Sequence, residues 1–241
     1  MIKEFRNENF YLSNFFERPV TFNGITYLNN EAAFQSMKVE NPIEQKKFAN
    51  LSPSEAKKMG RRVKLRTDWE NVKFDYMYLI CKAKFSQNED LKHKLISTMG
   101  EELIEGTTAW HDNIWGNCEC PKCQNIVGQN SLGKILMRVR DELYFEEILE
   151  KELNRAKDLI KNNSIETFVV FFNDGIYQED LLNKFRIEFM REMGYYLFTN
   201  NLSNFVSTRV SDGIAISTKE YYNKNLIKET VEKYIDNVEN L

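Results

Sequence analysis

The chain has 241 residues, of which 42% are hydrophobic and 29% charged, and its formal net charge is −3. These values are typical of a globular protein with one large domain or two domains of ordinary size. No apolar run is long enough to span a membrane, and neither half of the chain has the strong positive charge of a general nucleic-acid binder. Residues 1–6 lack the apolar centre of a signal peptide, so we expect a cytoplasmic protein without a membrane partner.

A hairpin and a helix are predicted near the start of the chain. Asn23-Gly24 separates two short β-prone runs and accepts the positive φ angles of a type I′ turn, which predicts the hairpin. Asn30 is a suitable N-cap for a helix that would end before Pro42. At the helical period, one face of this helix carries an acid, an amide and an amine: Glu31, Gln35 and Lys38. That face is either solvated surface or the polar wall of a site.

A second helix is predicted to begin at Ser52, which is an N-cap, with Glu55 completing a capping box, and to end at Gly60. Six of the ten residues from Lys57 to Arg66 are positively charged. Such a cluster is either a solvated surface or an anion site, because guanidinium groups beside a glycine at a helix end can hold phosphate. The candidate anion contacts here are Gly60, Arg61 and Lys64.

Two predicted core helices, residues 69–85 and 91–99, are followed by a segment without periodicity. Residues 103–116 contain two tryptophans, a histidine and an aspartate between glycines, a composition typical of a functional loop. A further helix begins within residues 128–134 and is predicted to run to about Tyr144. Its first amides form a candidate anion site, made by Asn130, Ser131 and Gly133.

The sequence pattern changes after residue 144. Gly194 is expected to end one helix, and no motif there points to chemistry. We therefore predict a domain of residues 1–144 followed by a small α/β accessory unit of residues 145–241. The predicted elements of that unit are helices at 146–162, 179–193 and 219–238, and strands at 167–172, 195–199 and 205–217.

Three of the four cysteines lie close together, at Cys118, Cys120 and Cys123. In a reducing compartment this spacing favours a metal or redox cluster over a disulfide framework, and it suits a structural zinc in a loop. Tetrahedral zinc needs a fourth ligand, for which His111 and Cys81 are the candidates. The alternative is three reduced thiols, and no redox cofactor is expected.

The order of several short motifs in residues 1–143 resembles the NADAR family, whose name refers to NAD and ADP-ribose. Each motif alone is weak, but their joint order covers more than half of the chain. The matching pieces are residues 12–15, Glu31 with Phe34-Gln35 and Lys38, residues 51–56 with Met59-Gly60-Arg61, Arg66 and Trp69, Lys84-Phe85, Asp112 with Trp115-Gly116, and residues 128–134 with Leu136-Met137.

The resemblance implies a mostly helical α+β domain with a small sheet that cleaves N-glycosidic bonds on ribose. One associated activity removes ADP-ribose from modified guanine in nucleic acid, and an ADP-ribosyltransferase toxin would then be the functional counterpart. A second activity hydrolyses ribosylated small molecules of the riboflavin pathway. A third hypothesis, from another class, is a non-catalytic ADP-ribose reader.

Cleavage at an N-ribosyl carbon passes through an oxocarbenium-like state, so the site needs a carboxylate near the sugar and help for the departing base. Glu31 and Asp112 are the predicted carboxylates. Lys38 is predicted to stabilise negative charge, and a Schiff base with a ring-opened ribose is the alternative. The assignment of nucleophile and general acid or base stays open, because sequence does not give the separation of the two carboxylates.

Further residues are predicted to contact the substrate. Asn14 and Gln35 would bind the ribose, and Trp115 would stack on the base together with Phe15 or Trp110. Trp69 is assigned to the core and His93 to the surface. The remaining predicted contacts are Gly116, beside Trp115, and the phosphate contacts Arg61, Lys64 and the amides of Asn130, Ser131 and Gly133.

Overall fold

The computed structural model describes residues 1–162, 167–171, 179–202, 205–210 and 213–218. It divides into two units, Met1–Tyr144 and Phe145–Leu241. The first unit begins with a 3₁₀ helix, Asn7–Leu12, and continues with β1 (Glu17–Phe22), β2 (Ile25–Asn29), α1 (Asn30–Ser36), α2 (Pro42–Lys46), α3 (Pro53–Gly60), α4 (Trp69–Gln87) and α5 (Glu89–Ile96). After a long loop, α6 begins at Ser131 and ends at Lys161. Helices packed with a small antiparallel sheet make this an α+β fold, which confirms the predicted class.

The predicted hairpin is present. Strands β1 and β2 pair antiparallel, and Val20 lies opposite Tyr27 with both side chains buried. Asn23 and Gly24 have φ angles of 50° and 76°, the positive values that a type I′ turn requires. The Asn-Gly pair therefore fixes the register that brings β2 directly to the start of α1.

Helix α1 is the central element of the first unit, since all seven of its residues are buried. Its N-cap is Asn29 and not Asn30, because the Asn29 side chain accepts a hydrogen bond from the Ala32 amide at 2.8 Å. The helix also ends earlier than predicted, at Ser36. The chain leaves it through a tighter turn in which the Lys38 amide bonds to the Gln35 carbonyl. Lys38 therefore lies just beyond the helix.

The other sequence signals for helices in this unit are confirmed. Ser52 and Glu55 form the predicted capping box at the start of α3, and that helix ends at Gly60. The two predicted core helices correspond to α4 and α5. Trp69 is buried in the core, and His93 lies on the surface with 60% of its side chain exposed.

A lysine is buried among the aromatic residues of this core. Lys84 on α4 has no solvent exposure, and its Nζ donates hydrogen bonds to the Tyr11 carbonyl at 2.6 Å and to the Ser13 carbonyl at 3.0 Å. Nζ also lies over the rings of Phe16 and Phe85. Burial lowers the pKa of Lys84 to about 7. A neutral amine has two hydrogens, enough to satisfy both carbonyls and thereby fix the segment that leads to α1.

The second unit contains the rest of α6, a helix α7 (Glu179–Thr199) and three strands, β3 (Thr167–Phe171), β4 (Phe205–Val210) and β5 (Gly213–Thr218). Strand β5 lies between β3 and β4 and pairs antiparallel with both. Within the described residues, no helix combines the length and the apolar character needed to cross a membrane.

Several predictions for the second unit were wrong. Helix α6 is continuous to Lys161, because no proline or glycine interrupts it after Gly133. Helix α7 continues through Gly194, so residues 195–199 are helical and not a strand. A glycine inside a helix costs about 1 kcal/mol, which does not end a helix that packs in a core. The predicted strand at 205–217 is two antiparallel strands, and the predicted helix at 219–238 lies outside the described residues.

The buried lysine gives a testable stability effect. In the unfolded chain Lys84 would keep its proton up to about pH 10, while the folded protein releases it near pH 7. The unfolded state therefore binds more protons between these values, and stability should rise with pH across this window. Lys84→Met should remove that rise and, by leaving two carbonyls unpaired, destabilise the fold by about 2–4 kcal/mol.

Urea unfolding at several pH values, followed by tryptophan fluorescence, measures this effect in the first unit, because all three tryptophans lie there. Lys122→Met, at an exposed lysine, is the matched control. An equal rise of stability with pH in Lys84→Met and in the unchanged protein would contradict the interpretation.

Candidate active site

A cleft of about 520 Å³ opens in the first unit. Its walls come from the N-terminal segment, α1, α3, α4 and the loop between α5 and α6. Eight of the predicted catalytic and substrate-binding residues line it: Asn14, Phe15, Glu31, Gln35, Lys38, Trp110, Asp112 and Trp115. The tertiary structure thus brings together residues that are separated by about a hundred positions in the chain.

Glu31 is the most deeply buried carboxylate of this cleft, with 5% of its surface exposed. Its amide donates to the Asn14 carbonyl at 3.1 Å, and its Oε1 accepts a hydrogen bond from Gln35 Nε2 at 2.9 Å. Burial raises the pKa of Glu31, and the charges of Lys57 and Lys38 oppose that increase. The carboxylate is therefore held in one orientation in a site whose lysines favour its ionised form.

Gly60 serves this arrangement without lining the cleft. A Cβ at this position would lie 1.9 Å from Gln35 Oε1, so only glycine leaves room for the Gln35 amide. Gln35 Oε1 is buried and has no hydrogen-bond partner among the described residues. Gly60 was predicted as an anion contact. In the structure its missing side chain leaves the space that the Gln35 amide occupies while it bonds to Glu31.

Two lysines face Glu31 from neighbouring elements. Lys38 Nζ donates to the Gly60 carbonyl at 3.2 Å and lies 5.8 Å from the centre of the Trp69 ring. Lys57, on α3, places Nζ 5.2 Å from the centre of the Phe15 ring. Burial lowers the pKa of Lys38, while the charge of Glu31 raises it. The positive charges of Lys38 and Lys57 thus lie on the side of the cleft that contains Glu31 and the first turn of α1.

Glu105 is a third carboxylate of the cleft, and the sequence analysis did not single it out. Burial, and after it the charge of Asp112, raise its pKa to about 7. It lies in the loop before α6, where no periodicity marks one residue above another. The only available signal was its position between an apolar pair and Gly106 at the beginning of the functional loop.

Asp112 is fixed by its own loop. Its Oδ1 accepts hydrogen bonds from the amides of Ile114 and Trp115, both at 2.9 Å, and Thr107 Oγ1 donates to its backbone carbonyl at 2.5 Å. These bonds hold the Asp112 carboxylate at the cleft and close the backbone turn formed by residues 112–115. The predicted pair of Glu31 and Asp112 is therefore part of a group of three carboxylates that includes Glu105.

Aromatic side chains form one wall of the cleft. The Phe34 ring lies 5.2 Å from Trp69 and 5.3 Å from Trp115, and Phe74 lies 5.1 Å from Trp115. Trp110 at the rim is 47% exposed, with the Arg6 guanidinium 5.4 Å from the ring centre. Trp115 is thus a packed wall residue, while Trp110 keeps a face available to a ligand.

Asn14 connects several parts of the site. Its side-chain Nδ2 lies 3.2 Å from the Met77 sulfur, and its Oδ1 accepts from Asn30 Nδ2 at 3.3 Å. Its backbone carbonyl already receives the Glu31 amide. Asn14 therefore fixes the start of α1 in addition to lining the cleft.

Other predicted substrate contacts do not line the cleft. Arg61 and Lys64 are exposed, although the charge of Arg61 acts on Glu31. The predicted anion site at the start of α6 is wrong in its donors, because the amides of Asn130 and Ser131 bond to the carbonyls of Gly116 and Ile114. These bonds close the loop against α6. Gly116 and Gly133 are close-packing positions, where a Cβ would meet the Glu105 and Leu103 carbonyls.

A group of possible metal ligands lies in the same loop. The ligand atoms of His111, Cys118, Cys120 and Cys123 all lie within 4.8 Å of one another. Tetrahedral zinc sulfur and nitrogen ligands are about 3.5 Å apart, so the group is nearly at coordination distance. Cys81, the alternative fourth ligand, is instead buried in the core, where its Sγ contacts Asn14 Oδ1 at 3.9 Å. These four residues could hold a metal ion.

Known proteins are similar to the first unit of this chain in sequence and in fold. N-glycosidase YbiA of Shigella flexneri serotype 5b (strain 8401) is 36% identical over 137 residues, which cover 56% of this chain and 81% of that protein. The maize (Zea mays) riboflavin biosynthesis protein PYRR, chloroplastic, is 39% identical over 116 residues, which cover 44% of this chain and 17% of that protein.

A solved structure has a similar fold. The NMR structure of the Escherichia coli protein YbiA matches with a TM-score of 0.53 and 29% identity, covering 61% of this chain and 89% of that chain. The NADAR domain family model matches residues 2–144. This range contains the whole cleft and more than half of the sequence, so the chain belongs to the NADAR family.

Proposed function

We propose that this protein is a hydrolase that cleaves an N-glycosidic bond on ribose, and that its substrate is ADP-ribosylated guanine in DNA. The observation that carries the proposal is the cleft in which Glu31, Glu105 and Asp112 lie beside Lys38 and Lys57. Carboxylates stabilise a sugar cation and transfer protons, and lysines attract a phosphorylated substrate. The relatives named N-glycosidase YbiA support the type of bond.

The two glutamates of the cleft suit different roles in this reaction. With a pKa of about 7, Glu105 holds a proton in much of the protein at neutral pH and is suited to protonate the departing base. Glu31, oriented by Gln35 and faced by Lys57, is suited to stabilise the oxocarbenium-like sugar and direct a water molecule to it. Burial, and after it the negative charge of Asp112, favour the protonated form of Glu105 by raising its pKa.

Recognition of the substrate follows from the rest of the cleft. Lys38, Lys57, Lys73 and Arg6 line it and provide positive charge for a diphosphate. Trp110 offers an exposed face for stacking on a base, a contact worth about 1–3 kcal/mol. A hydrolase of this kind would reverse the modification made by an ADP-ribosyltransferase toxin.

A second candidate substrate is a ribosylated pyrimidine phosphate of riboflavin synthesis. The observation that favours it is the similarity to the maize riboflavin biosynthesis protein. Its single phosphate and small base need less of the cleft than ADP-ribosyl guanine. The exposed cation Arg61, whose charge acts on Glu31, has a clearer use with a nucleic-acid strand, and Lys64 lies three residues from it in the chain. We therefore place DNA first.

The carboxylates give the first test. Glu31→Gln and Glu105→Gln should each lower kcat about 100-fold or more, because each removes a group that acts in the transition state. Above about pH 7 the activity of the unchanged enzyme should fall as Glu105 loses its proton, and Glu105→Gln should lose this dependence. Glu102→Gln, at an exposed carboxylate just before the loop, is the control and should keep full activity.

Chromatography of released products, with a guanine-ADP-ribosylated oligonucleotide and a ribosylated aminopyrimidine phosphate in parallel, measures both candidates. Turnover of only the pyrimidine would replace the DNA substrate by the metabolite. If neither substrate is cleaved but ADP-ribose binds in calorimetry, equally in Glu31→Gln, the protein is a reader and the hydrolase proposal fails.

Lys38 has two possible roles that one substitution separates. Its Nζ is held by the Gly60 carbonyl and the face of Trp69, which supports an electrostatic role. Lys38→Arg preserves the positive charge and should keep activity within about tenfold. A complete loss in this variant, together with a ribose adduct on the unchanged protein after borohydride treatment, would instead establish the Schiff base.

We also propose that the ion held by the His111, Cys118, Cys120 and Cys123 group is Zn²⁺. Thiolate and imidazole ligands in a closed set of four are characteristic of structural zinc. Elemental analysis of the purified protein should find about one zinc per chain. Cys120→Ser should lose most of it, and Cys81→Ala should retain it, because Cys81 lies in the core away from the group. Zinc retained by Cys120→Ser would contradict this assignment.

A further inference from the structure

The metal-ligand group and the candidate active site share one stretch of backbone. His111, the histidine of the group, directly precedes Asp112. Cys118 directly follows Asn117, whose amide donates to the Glu105 carbonyl at 2.9 Å and whose carbonyl accepts from the Thr107 amide at 3.1 Å. His111 is thus next to Asp112 in the chain. Cys118 is connected to Glu105 through its neighbour Asn117, which bonds to the Glu105 backbone.

His111 has a backbone conformation that needs support. Its φ angle is 59°, in the left-handed region that non-glycine residues rarely adopt. The residue is exposed, so burial of its ring contributes little to holding it. Its Nδ1 lies 3.4 Å from Cys118 Sγ and 3.2 Å from Cys120 Sγ. A bond from the imidazole to an ion shared with these sulfurs would stabilise this conformation.

The segment around the ligands is held by hydrogen bonds but has little apolar packing. The three cysteines form a small buried cluster of their own, separate from the core of the first unit. Just beyond them, Ile126 and Val127 are 53% and 93% exposed. A short segment with few apolar contacts opens locally at low cost, unless a bound ion links its ends.

We propose that a metal ion bound by His111, Cys118, Cys120 and Cys123 is the positioning element of the catalytic loop. By fixing His111 it orients Asp112, and by fixing Cys118 it holds the Asn117 contacts with Glu105. The ion takes no part in the chemistry, and its occupancy sets how much of the protein has both loop carboxylates in place. The effect on turnover rests on the proposed hydrolase function, whereas the effect on the loop does not.

The experiment compares the zinc-loaded protein with protein stripped by EDTA and with Cys123→Ser, whose ligand lies farthest along the chain from Asp112. Glu119→Ala changes an exposed residue between the ligands and is the matched control. Backbone hydrogen exchange of residues 104–118 reports the loop directly, and kcat reports its consequence. Circular dichroism verifies that each protein remains folded.

Removal of the ion should speed hydrogen exchange in residues 104–118 at least tenfold, without a similar change in α4. In the same samples kcat should fall at least tenfold, and added Zn²⁺ should restore both quantities in the unchanged protein but not in Cys123→Ser. Glu119→Ala should behave like the unchanged protein in every measurement.

Two results would overturn the proposal: unchanged exchange of the loop after the ion is removed, or full kcat in the stripped protein. If the loaded protein cleaves neither substrate while zinc still slows exchange of the loop, the positioning role stands and the hydrolase function fails. The two proposals can thus be rejected separately.

Discussion

Burial of a carboxylate is the constraint on which the rest of the candidate site depends. Glu31 loses most of its contact with water when α1 packs in the centre of the first unit, and an unpaired buried charge is costly. Gln35 and Lys57 reduce this cost by hydrogen bonding and charge. The Gln35 amide in turn needs the space left by Gly60. Burial of Glu31 thereby requires a hydrogen-bond donor at Gln35 and a glycine at Gly60.

The same balance of burial and charge separates the two glutamates of the cleft. Burial raises the pKa of both glutamates. At Glu105 the charge of Asp112 adds to this effect and that of Lys57 opposes it, whereas at Glu31 the charges of Lys57, Lys38 and Arg61 all oppose it. Two carboxyl groups whose surroundings differ in this way are suited to the separate acid and carboxylate roles in the proposed cleavage of a glycosidic bond. In the proposed mechanism the environment, and not the residue type, distinguishes the two roles.

The loop before α6 depends on backbone hydrogen bonds more than on apolar packing. The amides of residues 129–132, at the start of α6, donate hydrogen bonds to the carbonyls of residues 113–116. The start of the helix therefore anchors the loop, and these amides are not free to bind an anion. Glu105 and Asp112 are carried by this loop, and the cysteine group lies at its far end. The positions of Glu105 and Asp112 therefore depend on the stability of this loop.

Local signals in the sequence determined the hairpin, the capping box of α3, the core helices and the membership of the family, because each depends on neighbouring residues or on their order. Several of the residues that line the cleft, including Glu31 and Asp112, were also predicted. Tertiary structure decided the rest. It made Asn29 the cap, carried α7 through Gly194, and gave Glu105 its pKa, because packing, burial and the charge of residues distant in sequence set these properties.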